Sequence, residues 1–361
     1  MPRFHDDLFD QIAAFQPLCE ATRRAAKGKR GKPGCAMFLN NLERNVLRLE
    51  RELQDGTWRP GAYTVIDVRD PKPRRVSAAP FRDRVVHHAL CRVVQPIFER
   101  GFIDDTYANR VGKGTHRAVD RYERFSATRR HVLRADIFRF FPSIDHEILK
   151  GLFRRRIACS RTLALMDAIV DGSNPQEPVL RYFAGDDLFT PHERRRGLPI
   201  GNLTSQFFGN LMLDALDHFV KEVLRVRGYV RYVDDFALFH DDAEYLEACR
   251  SRIARHLEGR RMLLHPRKTF IEVTASPARF LGYELHPGGF RRLPADNVDR
   301  FAGRLRSLRA RFRNGDIGFE AIAPRIRAWN AHAAHANTWR LRASLFRGGV
   351  FSRSREPDRF L

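Results

Sequence analysis

Two adjacent aspartates, Asp234 and Asp235, stand in the stretch Gly228–His240, which reads GYVRYVDDFALFH. Runs of β-branched and aromatic residues flank them on both sides, and such runs are typical of β-strands. The pair is therefore expected at the turn of a hairpin, where two neighbouring anions repel each other. A divalent cation would relieve that repulsion, and Mg²⁺ prefers carboxylate, phosphate and water oxygens. The pattern indicates metal-assisted chemistry on a phosphate.

Asp-Asp pairs are common in ordinary turns, so this pair alone is weak evidence. The chain contains five of them, at positions 6, 104, 186, 234 and 241, and the pair at 241 has the character of a solvated turn. Only Asp234 and Asp235 have apolar strand on both sides. Phosphoryl transfer with two metal ions about 4 Å apart needs further acidic oxygens. Asp136, at the end of a predicted strand over 132–137, is the candidate third carboxylate; the alternative is a strand-end turn residue.

The charge of the chain favours a polyanionic partner. Its 361 residues carry 65 Lys+Arg against 43 Asp+Glu, a formal net charge of +22. The basic residues are spread along the whole chain, which favours a folded nucleic-acid-binding protein. An Arg-rich proteome is the alternative source of part of this excess. The 28 phenylalanines supply enough apolar surface for a substantial core.

The cysteines and the apolar runs exclude several classes of protein. The five cysteines show no C-x-x-C spacing, which argues against a zinc site and a disulfide framework. No apolar run resembles a signal peptide or approaches the ~20 residues of a membrane span. We therefore expect a cytoplasmic protein with no membrane partner.

The spacing of apolar residues predicts a mixture of helices and strands. Helices are expected within 1–27, over 38–54, 81–100, 160–171, 207–220 and 243–259, and three short ones within 295–346. Strands are expected over 62–69 and 132–137 and within 262–273, and a tight hairpin over 278–293. The basic run at 192–196 is interpreted as an exposed face. The basic loop at 27–34 is either solvated or in contact with phosphates.

The order of the motifs resembles the reverse transcriptases. A strand ending in Asp136 is followed by FFPSID, LPIGNLTSQ, YVDD, a turn containing Lys268 and then FLGY, and the resemblance covers about residues 62–346. It implies an α+β right-hand polymerase with fingers, a palm built on an antiparallel sheet and a helical thumb. The implied divisions are a helical N-terminal extension (1–60), fingers (61–130), a palm (131–290, with finger insertions at about 151–196) and a helical thumb with the C-terminal tail (291–361).

The resemblance also implies roles for individual residues. Asp136, Asp234 and Asp235, together with Ile137, would bind two Mg²⁺ ions, and Lys268 would protonate the leaving pyrophosphate. The implied dNTP-binding residues are Lys72, Arg74, Phe141, Ile200, Gly201 and Gln206, with Phe141 as the steric gate that excludes a ribose 2′-OH. The implied primer grip consists of Phe280, Leu281 and Gly282. Template RNA, the RNA/cDNA duplex and dNTPs are the expected partners.

At one motif the sequence departs from the common family pattern, and this departure indicates a subgroup of the family. Most of the family has QGxxxSP where this chain reads IGNLTSQ at 200–206, which is similar to the reverse transcriptases of diversity-generating retroelements. The segments KPRRVSAAPFRDRVVHHAL, YANRVGKGTH and HANTW look similar to that group as well. A branched apolar side chain at Ile200 cannot form the hydrogen bonds of a Gln, so mispairs would be rejected less well. In that group, this residue goes with errors opposite template adenine.

The narrower resemblance implies mutagenic copying of a template-repeat RNA, with a basic, oligomeric accessory variability protein as partner. Two alternatives stay open. The same polymerase could serve anti-phage defence or retron-type cDNA synthesis, which the adjacent genes would discriminate. The chain could also be a catalytically silent RNA-binding scaffold, which a primer-extension assay would discriminate.

Overall fold

The computed structural model describes residues 7–68, 73–173, 181–347 and 351. Within these residues, helices pack around three antiparallel sheets, in agreement with the predicted α+β class. The strands are β1 (Thr64–Val68), β2 (Arg74–Ala78), β3 (His131–Ala135), β4 (Gly228–Tyr232), β5 (Asp235–His240), β6 (Phe270–Val273), β7 (Ala278–Phe280), β8 (Tyr283–His286) and β9 (Phe290–Arg292). None of the helices in these ranges has the length and apolar character needed to cross a membrane.

The helices lie before, between and after these strands along the chain. They are α1 (Asp10–Ala13), α2 (Phe15–Ala26), α3 (Pro33–Asn40), α4 (Leu42–Gln54), α5 (Phe81–Glu99), α6 (Thr115–Ser126), α7 (Phe140–Ser143), α8 (His146–Arg154), α9 (Ser160–Asp171), α10 (Thr190–Glu193), α11 (Leu203–His218), α12 (Ala243–Glu258), α13 (Ala295–Arg313), α14 (Phe319–Ala333) and α15 (Trp339–Phe346). A π-helical turn, Phe219–Val223, continues α11.

The central sheet has the strand order β4-β5-β3-β6, and its neighbouring strands are antiparallel. Both of its faces are covered. Leu133 and Leu238 belong to one buried cluster, shared with α5 and α11. Val132 and Phe239 belong to a second cluster, shared with α6, β7 and β8. Strands buried on both faces read as continuous apolar runs rather than as alternation, which explains the sequence pattern on either side of the aspartate pair.

The Asp-Asp pair at 241 has a structural role, as predicted. Asp242 caps α12, because its carboxylate accepts hydrogen bonds from the N–H groups of Glu244 and Tyr245 at 2.8 and 3.3 Å. Asp241 forms an ion pair with Arg129 at 2.6 Å. Side-chain caps of this kind are a common use of Asp at a helix N-terminus. The interpretation of this pair as turn chemistry is confirmed.

Three predictions from the sequence were wrong. The helix expected over 38–54 is two helices, α3 and α4, because the backbone leaves the helical region at Asn41 (φ −125°, ψ 51°). The hairpin expected over 278–293 is a three-stranded sheet of β7, β8 and β9. The basic run at 192–196 is not uniformly exposed, because the side chain of Arg194 is 4% exposed and pairs with Asp186 at 3.0 Å. A buried carboxylate partner makes such burial of an arginine tolerable.

His87 lies in α5 and is 1% exposed. Neither of its ring nitrogens has a hydrogen-bond partner among the described residues. Burial, followed by the charges of His88 and Arg84, lowers the pKa of His87 to about 3. An unfolded chain protonates histidine near pH 6.5. Between these two values the unfolded state binds more protons than the folded state, so stability falls as the pH falls.

We expect His87 alone to lower the free energy of unfolding by on the order of 2 kcal/mol between pH 7 and pH 5. The His87→Met variant should lack this part of the pH dependence, because it has no group to protonate on unfolding. Urea unfolding at the two pH values measures the difference. His192→Met, at an exposed position, is the matched control and should keep the wild-type dependence. An unaltered pH dependence in His87→Met would contradict the neutral, buried state of this side chain.

Candidate active site

The turn between β4 and β5 consists of Val233 and Asp234, and Tyr232 pairs with Asp235 across it. The predicted hairpin with the aspartates at its tip is thereby confirmed. Val233 has a φ of 58°, in the left-handed region that β-branched residues adopt only where the surroundings enforce it. The strained backbone of this turn fixes the positions of both carboxylates.

Arg231, near the end of β4, supplies the restraint. Its Nη1 donates to the carbonyl oxygen of Val233 at 2.9 Å. Its Nε and Nη2 donate to the two oxygens of Asp217 at 2.7 and 2.6 Å, and the two side chains are 1% and 0% exposed. The hydroxyl of Tyr229 donates to the same carboxylate at 2.8 Å. A buried bidentate pair of this kind is geometrically specific, so it anchors the turn to α11.

Asp136 follows directly after β3, which ends at Ala135 rather than at the predicted 137. The antiparallel register of β3 and β5 places Asp136 beside Asp235, and the two carboxyl groups are within hydrogen-bonding distance. The N–H of His265 donates to the carbonyl oxygen of Asp136 at 2.7 Å. Ile137, the next residue, is buried and forms a backbone bridge with Leu264. Two separate strands thus bring the predicted carboxylates to one point.

Lys268 lies in the loop before β6 and contacts Asp136, one of these aspartates. Its Nζ lies 2.8 Å from Oδ2 of Asp136, and its side chain is 51% exposed. Lys268, which was predicted to protonate the leaving pyrophosphate, is therefore held next to the carboxylates. At this distance its charge offsets part of their mutual repulsion.

Burial and neighbouring carboxylates shift the pKa values of Asp234 and Asp235. Burial, then the charges of Asp234 and Asp136, raises the pKa of Asp235 to about 7. Burial, then the charge of Asp136, raises the pKa of Asp234. Carboxylates in this situation resist being charged together unless a cation joins them. A proton on Asp235 or a bound cation would relieve this repulsion.

This donor set suits a hard divalent cation. In the described parts of the chain, no group of three or more His, Cys, Asp or Glu side chains is already arranged around one metal position. Mg²⁺ in proteins is commonly held by only one or two carboxylates, with phosphate oxygens and water as its other ligands. Asp136 and Asp235 are in contact and repel each other, so their chemistry fits such partial coordination.

The β1–β2 ribbon lines a cavity of about 1020 Å³. Arg74 begins β2, and its charge opposes the rise in the pKa of Asp234 that burial causes. Residues lining the cavity include Tyr63, Arg74, Arg75, Arg139 and Ile200. Lys72 lies outside the described residues. The cavity lining therefore combines arginines with Ile200, and the arginines suit a ligand that carries phosphate.

The loop that carries Ile200 is tied to β2 by the backbone. The N–H of Ser77 donates to the carbonyl oxygen of Ile200 at 2.9 Å, and Nδ2 of Asn202 donates to the carbonyl oxygen of Ser77 at 2.9 Å. Gly201 has a φ of 108°, and a Cβ there would lie 2.6 Å from Cγ1 of Val76. Only glycine permits this close approach, so Gly201 has a structural reason to be in this loop.

Phe141 lies between this loop and α11. Its carbonyl oxygen accepts a hydrogen bond from the N–H of Leu198 at 2.9 Å. Its ring packs against Gly209, where a Cβ would lie 3.3 Å from the ring. Gln206 lies in the first turn of α11, and its N–H donates to the carbonyl oxygen of Asn202 at 3.3 Å. The aromatic ring is thus held by α11 and by the loop at 198–202.

Leu281 and Gly282 form the turn between β7 and β8, with φ values of 46° and 87°. Two consecutive positive φ values are typical of a two-residue hairpin turn. Phe280 is 6% exposed and stacks on Tyr122 with 4.6 Å between the ring centroids. Of the predicted primer grip, Phe280 therefore anchors the turn, and the other two residues form its tip.

Comparison with known proteins identifies the family. Residues 66–285 match the family described as reverse transcriptase (RNA-dependent DNA polymerase), which is more than half of the chain. The chain belongs to the reverse transcriptase family. It is accordingly an RNA-directed DNA polymerase, as predicted. Domains of this family generally use divalent metal ions.

Two curated relatives of this reverse transcriptase are similar over long stretches. Protein YkfC of Escherichia coli (strain K12) is 24% identical over 345 residues, which cover 84% of this chain and 81% of that protein. The group II intron-encoded protein LtrA of Lactococcus lactis subsp. cremoris is 20% identical over 309 residues, which cover 67% of this chain and 50% of that protein. The alignment thus reaches only half the length of LtrA.

Sequence reasoning missed the residues that position the turn carrying Asp234 in this reverse transcriptase. Arg231 and Asp217 were not predicted as functional residues, because neither side chain would contact a reacting group. Asn202, which ties the loop to β2, was read only as part of a motif. One signal was available: Arg231 interrupts an apolar strand, and a charge at a buried position requires a partner.

The Asp217→Ala variant should lose about 3–5 kcal/mol of unfolding free energy, because it leaves the buried charge of Arg231 without a partner. The double variant Asp217→Leu/Arg231→Met removes both charges and should lose far less. Urea unfolding of the three proteins measures this. In primer extension, the double variant should show kcat lowered by at least about tenfold, since Val233 loses its restraint and misplacement of about 1 Å is costly. A folded double variant with the wild-type kcat would show that Arg231 does not position the turn.

Proposed function

We propose that this reverse transcriptase makes error-prone, adenine-mutagenic cDNA from a template-repeat RNA in a diversity-generating retroelement. The observation that carries the proposal is Ile200, a branched apolar residue on the wall of the cavity that Arg74 also lines. The charge of Arg74 in turn acts on Asp234. A Gln at this position could form hydrogen bonds to a nucleotide or to groups that position it. Isoleucine can fill space, but its side chain has no hydrogen-bond donor or acceptor that would respond to the geometry of a base pair.

The chemistry is the attack of a primer 3′-OH on the α-phosphate of a dNTP, with pyrophosphate as leaving group. Asp136, Asp234 and Asp235 would hold Mg²⁺, with the backbone beside Ile137 close by. When bound, two such ions stabilise the attacking and the leaving oxygen. Lys268, 2.8 Å from Asp136, supplies a proton for the departing pyrophosphate. The protein contributes position and charge rather than covalent chemistry.

Arg74 and Lys72 would contact the triphosphate from the β1–β2 ribbon, where guanidinium groups offer forked hydrogen bonds to phosphate oxygens. Phe141 would select the sugar. Its ring is wedged against Gly209, so it cannot retreat into the protein to admit a ribose 2′-OH. Leu281 and Gly282, at the tip of their turn, would contact the primer strand.

The partners of this reaction are template RNA, the RNA/cDNA duplex, dNTPs and a basic, oligomeric accessory variability protein. The reverse transcriptase itself has a formal net charge of +22, so a second basic protein is repelled by most of its surface. The template RNA can offset both charges, and it is the component we expect to bridge them. The proposed complex should therefore weaken with rising salt.

The Asp234→Asn variant should abolish dNTP incorporation while RNA binding stays at the wild-type level, because the substitution removes one anion at the catalytic turn. Primer extension with Mg²⁺ and filter binding of the template RNA measure the two properties. Asp241→Asn is the matched control, since it changes an Asp-Asp pair at the other end of the same strand and should preserve synthesis. Retained synthesis by Asp234→Asn would refute the assignment.

The Ile200→Gln variant should lower misincorporation opposite template adenine, because Gln restores a hydrogen-bonding group to the cavity wall. Sequencing of cDNA made from the natural template RNA measures the error spectrum. Ile200→Leu is the control and should keep the wild-type spectrum, because it stays apolar and branched. An unchanged spectrum in Ile200→Gln would contradict the proposed role of this residue.

A further inference from the structure

A second cavity lies beside the cavity at Ile200. Its volume is about 360 Å³, and we call it the arginine pocket. The arginines in its wall are Arg139, Arg181, Arg194, Arg196 and Arg261, and its apolar lining is Phe138, Pro142, Phe183, Met262 and Leu263. Arg139 and Pro142 line both cavities. The two cavities therefore share a wall.

The arginine pocket carries more positive than negative charge. Asp145 is the one acidic residue among the described residues that line it. Arg261 pairs with Asp145 at 2.7 Å, and Arg194 pairs with Asp186, behind the lining, at 3.0 Å. These two carboxylates are shared, because Arg261 also lies 3.4 Å from Asp186 and Arg194 lies 3.9 Å from Asp145. They cannot neutralise all the arginines around them.

Within the described residues, Arg194 and Arg261 form the ion pairs with these carboxylates, whereas Arg196 is influenced by the Asp145 carboxylate only through its charge and Arg181 is exposed. Burial, followed by the charge of Arg194, lowers the pKa of Arg196, which shows that its surroundings disfavour a further positive charge. The guanidinium of Arg181 lies 5.9 Å from the ring centroid of Phe183. Like charges held together in a partly enclosed space destabilise one another unless an anion enters. The pocket is thus built at an energetic cost that an anionic ligand would offset.

The position of the pocket ties it to the catalytic centre. Phe138 follows Asp136 by two residues, and its N–H donates to the carbonyl oxygen of Leu263 at 2.8 Å. Arg139 has a φ of 48°, and strained backbone of this kind is concentrated at functional sites. The strand end that positions a catalytic carboxylate therefore continues directly into the wall of the pocket.

We propose that the arginine pocket is a second polyphosphate site of this enzyme, which binds inorganic pyrophosphate or the triphosphate of a dNTP beside the catalytic centre. The proposal rests on the proposed nucleotidyl transfer, which consumes one of these anions and releases the other. Several guanidinium groups around one concave space match the many oxygens of a polyphosphate. The volume suits a ligand of nucleotide size.

A nucleic-acid backbone is a poorer match for this pocket. Phosphodiesters follow one another along a strand and are bound by open grooves, whereas the arginines here converge on one small space. Each phosphodiester also carries a single charge. A compact ligand with several negative charges fits the concentration of cations better.

The test measures binding by isothermal titration calorimetry in EDTA, where metal-dependent binding at the aspartates is absent. The probes are sodium pyrophosphate, dATP and a single-stranded oligonucleotide. The pocket variant is Arg181→Ala/Arg196→Ala, which leaves the arginines paired with Asp145 and Asp186 intact. The control Arg48→Ala/Arg250→Ala removes the same charge at positions on α4 and α12 that are 73% and 44% exposed. A third protein, Arg74→Ala, reports on the cavity at Ile200.

The pocket variant should bind pyrophosphate or dATP at least about tenfold more weakly than wild type, since each charge-assisted hydrogen bond is strong. The control should bind like wild type. Loss confined to pyrophosphate identifies a product site, and loss of both identifies a site that also receives the dNTP tail. Wild-type polyphosphate affinity in the pocket variant would overturn the proposal. The proposal would also be overturned if only Arg74→Ala lost polyphosphate affinity. The same holds if the pocket variant lost oligonucleotide binding and nothing else.

Two further measurements keep these outcomes distinct. Arg181→Gln/Arg196→Gln keeps more side-chain volume and should reproduce the weakening if the alanine variant has a lowered melting temperature. Primer extension by the wild-type enzyme tests the polymerase assignment separately, because polyphosphate binding in EDTA requires no catalysis. An active polymerase that binds no polyphosphate through these arginines would leave the proposed function standing and remove the second site.

Discussion

The buried ion pair between Arg231 and Asp217 is the interaction on which the active site depends. The pair is buried between the central sheet and α11. Besides contacting Asp217, Arg231 donates a hydrogen bond to the carbonyl oxygen of Val233. That bond holds a β-branched residue in a left-handed conformation one residue before Asp234. Without such a restraint, the turn could relax and separate Asp234 from Asp235. The fold thus uses a fully buried pair of opposite charges to hold a partly buried pair of like charges in place.

Other parts of the molecule place cations near the negative charge at this turn. Lys268 approaches Asp136 from one side, and Arg74 lies near enough to influence Asp234 from the other. Neither residue is close to the turn in sequence. The antiparallel order of β4, β5 and β3 brings the carboxylates together, and the flanking loops deliver the cations. The carboxylates therefore have cations supplied by two separate elements of the fold, an arrangement suited to substrates that carry phosphate.

Much of this architecture could be predicted from the sequence, for reasons that differ between elements. The hairpin at Asp234 and the strand before Asp136 were predictable because burial on both sheet faces leaves long apolar runs. The break at Asn41 was not, because apolar spacing continues through it from α3 to α4. The burial of Arg194 was also hidden, since its partner Asp186 lies in a separate Gly/Asp-rich stretch. Arg231 and Asp217 show the same limit: sequence reveals a charge in an apolar element, but only the fold reveals its partner.

The bonds between β2 and the loop at 198–202 constrain how the ribbon can move. Ser77 is joined to Ile200 through the main chain and to Asn202 through an amide side chain, and Val76 abuts Gly201 without space for a Cβ. The ribbon consequently cannot swing as an independent flap. Any displacement of it must carry the loop along, so the parts of the cavity wall that the ribbon and the loop form move together.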